Sequence, residues 1–136
     1  MSGRTPLDPY QWDEAALWLA KAAEDLAVAH LLIREDFVFP ASFHAQQALE
    51  KVLKALLVAA SQDIRRTHDL DDLAMEANQF WPTLIPSPFP LAELSRWYLS
   101  SRYPGIDEMP PSLGEIAQAL REIEELIAAI NSWMSP

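Results

Sequence analysis

SFHAQQALEKVLKALLVAAS, residues 42–61, is the stretch whose reading decides the fold. Ala45, Leu49, Val52, Leu56 and Ala59 recur every three or four positions, which keeps them on one side of a 3.6-residue turn. Ala48, Leu53, Ala55 and Ala60 widen that line into a core-facing surface. The spacing predicts one long amphipathic helix, with Ser42 as its N-cap and its end near Ser61. His44, Gln47, Lys51 and Lys54 recur at helical spacing on the opposite side, as a polar, cationic line.

Outward from this helix the chain continues to read as helices joined by stiff connectors. Pro40 predicts a stop before it, because proline cannot sit inside a helix passing through. A first helix is expected over 12–35, with Ala15, Leu19, Ala22, Leu26, Ala29 and Ile33 facing inward beside Trp18. Asp25, on the flank of that stripe, reads as a solvated helix carboxylate. After a loop over 62–68, Thr67 or Asp69 is the expected N-cap of a short helix to Phe80. Its inner face is Leu70, Leu73, Ala77 and Phe80, and its first-turn acids suit the helix dipole.

Pro82, Pro86, Pro88 and Pro90 predict an extended crossing segment. A helix over 91–102 follows, with Leu94, Trp97, Tyr98 and Ser101 inside, ended by Pro104 and Gly105. The last helix begins at Ser112 or Leu113 and runs to about Trp133, on a stripe of Ile116, Leu120, Ile123, Ile127 and Ile130. Glu115, Glu122 and Glu125 fall on its wet side. The expected fold is all-α: an up-and-down four-helix bundle with one short additional helix, five in all. Residues 1–11 read as a lead-in and 12–134 as a single domain.

Composition bounds the function. Half of the 136 residues are hydrophobic, and the formal net charge is -10. Duplex nucleic acid is bound mainly through Lys and Arg on phosphates, so this acidity argues against a duplex binder. A pocket for one nucleotide, or a basic protein partner, stays compatible with it. Cysteine is absent, which removes thiol nucleophiles, disulfides and Cys-ligated zinc. The opening MSGRTPLDPY has no apolar signal-peptide core, and no apolar run approaches the ~20 residues that span a bilayer. The expectation is a soluble, cytoplasmic protein with no membrane contact.

Neither common glycine-rich phosphate cradle occurs, nor does H-E-x-x-H, nor a Glu three residues before a His. No metal site and no cofactor are expected. The polar constellation left over is His44, Gln47 and Lys51 on the central helix, Arg65, Arg66 and His68 in the loop that follows, and Arg102 and Tyr103 near Pro104. Each alone has an ordinary structural reading, as a helix-end cation, a capping residue or the counterion of a nearby Asp. Their origin in three separate elements is what makes the set a candidate site.

The run FHAQQA at 43–48, continued by Glu50-Lys51 and Lys54-Ala55-Leu56, resembles the central helix of the HEPN family (higher eukaryotes and prokaryotes nucleotide-binding). Ala22 with Asp25-Leu26, Thr67-His68-Asp69-Leu70, and Tyr98 with Arg102-Tyr103-Pro104 agree with it in order and spacing. The resemblance covers about 15–130. It implies an up-and-down bundle, usually a homodimer, in a prokaryotic cytoplasm, and in many members a minimal nucleotidyltransferase as partner in a two-gene pair. It also implies nucleotide binding and, in a large subset, metal-independent RNA cleavage.

The cleaving subset carries Arg, four to six residues and then His, with His for proton transfer and Arg for the phosphate. Here Asp107, Glu108 and Met109 stand at the positions after Arg102 where that His would be. The reading placed first is therefore a nucleotide- or substrate-binding subunit lined by Gln47, Lys51, His68, Arg102 and Tyr103, with Asp25, His44 and Arg66 as secondary candidates. A purely structural interaction module comes second and a ribonuclease toxin third, so the balance leans away from an enzyme.

Overall fold

The computed structural model describes residues 9–63, 67, 69–82, 94 and 111–134. Those residues form four helices and no strand: α1 Pro9–Arg34, α2 Val38–Ala59, α3 Leu70–Phe80 and α4 Leu113–Met134. The fourth helix expected, over 91–102, lies outside the described residues, apart from Leu94, which is fully buried.

Two helix starts differ from expectation, for one reason. α2 begins at Val38 with Phe37 as N-cap, so Pro40 sits inside its first turn. The N–H that proline lacks has no intrahelical partner there in any case, so the ring costs little. Ser42 is consequently not the cap; its hydroxyl donates to the Phe39 carbonyl at 2.9 Å. α1 likewise begins at Pro9, ahead of Trp12. Further on, Asp69 caps α3 by accepting from the Asp72 N–H at 3.1 Å. Ser112 and Glu115 make a reciprocal capping box at the start of α4, each side chain bonding the other's N–H at 3.0 Å.

α1 and α2 both end in a left-handed residue. Asp36 (φ 61°) lets the Phe37 N–H reach the Leu32 carbonyl at 2.9 Å and its own N–H reach Ile33 at 3.0 Å. Ser61 (φ 64°) repeats the pattern, with Gln62 donating to Leu57 and Ser61 to Val58, both at 2.9 Å. The connection between α1 and α2 is therefore a tight reversal, and the two helices run antiparallel.

α2 is the central element, packed against α1, α3 and α4. Its expected stripe of Ala45, Leu49, Val52, Leu56 and Ala59 is buried throughout. It meets Ala15, Leu19, Ala22, Leu26 and Ala29 of α1, Leu70, Leu73 and Ala77 of α3, and Ile116, Leu120, Ile123 and Ile130 of α4 in one core. Trp81, at the end of α3, closes one end of the bundle. Its indole N–H donates to the Leu56 carbonyl at 2.9 Å, and its ring meets Trp133 edge-on at 4.9 Å and Trp12 at 6.5 Å. No described helix is long and apolar enough to cross a membrane.

Candidate functional site

The tight reversal sets the register of α1 against α2. Gln11 meets Ser61 at 2.8 Å, and the Lys54 ammonium lies 5.9 Å from the Trp18 ring centroid. Both pairs are equidistant from Asp36. The same rule puts Asp25 level with Gln47, between His44 and Lys51, one turn to either side. These contacts step along each helix in sevens, the interval at which two antiparallel helices keep presenting the same seam.

At that level the Asp25 carboxylate accepts from both neighbours. One oxygen lies 2.9 Å from His44 Nδ1, and the other takes the Lys51 ammonium. Asp25 is buried, and the side chains of His44 and Lys51 are 29% and 25% exposed. The sequence expectation of a solvated Asp25 is thus corrected: the register carries it under α2, where two partners hold it. A carboxylate can only accept, so Nδ1 carries the proton in this bond and the ring is fixed with Nε2 as its remaining nitrogen. Gln47 is half-buried between His44 and Lys51, on the same face.

The polar side of α2 is less wet than its sequence suggests. Gln46, Glu50 and Lys54 follow one another at four-residue spacing, and all three are buried. Lys54, expected on the polar outer line with Lys51, is instead bonded to Glu50 at 3.1 Å with its charge near Trp18. Its aliphatic stem and pairing let a cation be covered. Gln46 is 1% exposed, and neither its amide oxygen nor its nitrogen meets a partner among the described residues.

Of the candidate residues, Asp25, His44, Gln47 and Lys51 share one seam. Arg66, His68, Arg102 and Tyr103 lie outside the described residues. The described residues hold no group of three His or acidic side chains placed to bind a metal ion. Asp25 was legible only as one position of a weak motif; the usable signal was its distance from the reversal, which matches that of Gln47. What the seam offers chemically is an imidazole of fixed orientation, an amide and an ammonium, all reaching solvent beside a shared carboxylate.

A family model described as the HEPN domain matches residues 15–133. A curated protein of Methanocaldococcus jannaschii, named "Putative toxin MJ1304", is 29% identical over 115 residues, covering 79% of this chain and 72% of the relative. The crystal structure of TT1696 from Thermus thermophilus superposes with a TM-score of 0.68 at 27% identity, over 88% of this chain and 97% of that one. With its central helix, helical bundle and near full-length match together, the chain belongs to the HEPN domain family.

Proposed function

We propose that this chain is the helical, ligand-binding subunit of a two-gene toxin–antitoxin-like system and works with a minimal nucleotidyltransferase. It holds a nucleotide, or the partner's substrate, by its phosphate on the α2 polar arc. Gln47 and Lys51 are the binding residues on this seam, with His44 and Asp25 beside them; His68, Arg102 and Tyr103 are proposed to complete the site. The observation that carries this reading is the convergence of His44 and Lys51 at one point of the α1–α2 seam, with the Gln47 amide between them. An ammonium and an amide presented together suit a phosphate ester. The name of the archaeal relative supports the toxin–antitoxin context.

The working unit is proposed to be a homodimer in the cytoplasm. The outer side of α1 supports pairing, since Leu17, Val28 and Leu31 are exposed there. The balance leans away from intrinsic catalysis, because Arg102 lacks the following His of the cleaving members. Calorimetry with ATP and GTP tests the binding. Heat of association that is lost in Lys51→Ala supports it, and no heat at millimolar nucleotide ends it. Co-purification with a neighbouring nucleotidyltransferase tests the partnership. A net charge of -10 favours, as second reading, a purely structural module that docks on a basic enzyme through protein contacts alone. That module would co-purify without binding nucleotide.

A further inference from the structure

The seam contains its own anion. Asp25 gives one carboxylate oxygen to His44 and the other to Lys51, so the two groups best suited to a ligand phosphate already share a negative partner. Asp25 is fixed in α1 and 8% exposed, whereas the side chains of His44 and Lys51 reach solvent. An incoming anion therefore meets Lys51 on its outer side, with the carboxylate close behind it.

Resting on the phosphate-binding reading above, we propose that Asp25 is the specificity-determining residue of this site. Its carboxylate occupies the seat of an anionic ligand group on His44 and Lys51, and it sets how much negative charge the site accepts. A phosphate binds as Lys51 turns from Asp25 towards solvent, while His44 keeps its bond to Asp25. Two like charges about 6 Å apart, on either side of the Lys51 ammonium, repel by an amount worth between about threefold and about a hundredfold in affinity, from a water-like to a protein-like dielectric. The part-buried seam falls between those limits. Multiply charged ligands are penalised most.

Asp25→Asn tests this, since the amide keeps the shape and one acceptor but removes the charge. Inorganic phosphate and ATP are titrated calorimetrically into the full chain and the variant at fixed ionic strength. The expected result is binding at least about tenfold tighter in Asp25→Asn, with a larger gain for ATP than for phosphate, both reversed by adding Lys51→Met. Equal or weaker binding by a folded Asp25→Asn, with the unaltered chain binding normally, overturns this proposal and leaves the phosphate reading standing. Binding by neither protein removes both. Should Asp25→Asn not fold, phosphate is titrated into the unaltered chain and followed by NMR of the Lys51 and His44 side chains. Lys51 signals that move with occupancy, with His44 Nδ1 still protonated, support the proposal; phosphate binding that leaves Lys51 unmoved overturns it.

Discussion

Replacing Gln46 by Met should stabilise the protein. Gln46 is 1% exposed in the middle of the bundle, and both polar atoms of its amide lack a partner among the described residues. A buried polar group left unpaired costs about 1–3 kcal/mol. Methionine has nearly the same length and volume, so the swap removes the unpaired atoms at a packing cost below about 1.5 kcal/mol. The net gain is about 1–2 kcal/mol. At about 2.1 cal/mol/K of unfolding entropy per residue, each kcal/mol moves the melting temperature of a chain this long by roughly 3–4 °C. Scanning calorimetry should thus show a rise of about 3–7 °C, and urea unfolding a higher midpoint at unchanged slope. The half-buried neighbour Gln47, changed to Met as a control, should shift stability by no more than about 0.5 kcal/mol. A Gln46→Met protein that melts at or below the parent refutes the reasoning, because the amide would then have a partner in the folded state.

Three other substitutions test the elements that place the seam. Trp81→Phe keeps an aromatic ring but loses the donor to the Leu56 carbonyl, and chemical denaturation should show a loss of about 1–2 kcal/mol; that carbonyl also accepts from the Ala60 N–H, which limits the cost. Asp36→Gly relieves a left-handed backbone at φ 61° in the α1–α2 reversal, and thermal unfolding should show a gain of about 0.5–1 kcal/mol. Ser112→Ala opens the capping box of α4, at a cost of about 1 kcal/mol, with added hydrogen exchange in the first turn of that helix.

The fold was legible because its apolar periodicity is strong. The α2 stripe from Ala45 to Ala59 and the α4 positions Ile116, Leu120, Ile123 and Ile130 all lie in the core. Pro40 misled because a proline signals a break in general but not in a first turn, and only the position of Phe37 tells the two apart. The seam that forms the candidate site was half legible. His44, Gln47 and Lys51 stood out as one helix face, since spacing within a helix is local information. Asp25 did not, because its burial depends on how α1 and α2 register across the reversal at Asp36. The burial of Lys54 is of the same kind: only the packing of Trp18 and Glu50 around it shows that this cation faces no solvent.

The most direct test of the seam itself is a double-mutant cycle in urea on Asp25→Ala and Lys51→Ala. A part-buried ion pair shared with His44 predicts a coupling of about 1–2 kcal/mol, with the double variant less destabilised than the two single losses combined. Additivity within about 0.3 kcal/mol would contradict it, since it would mean that α1 and α2 do not bring these two charges together.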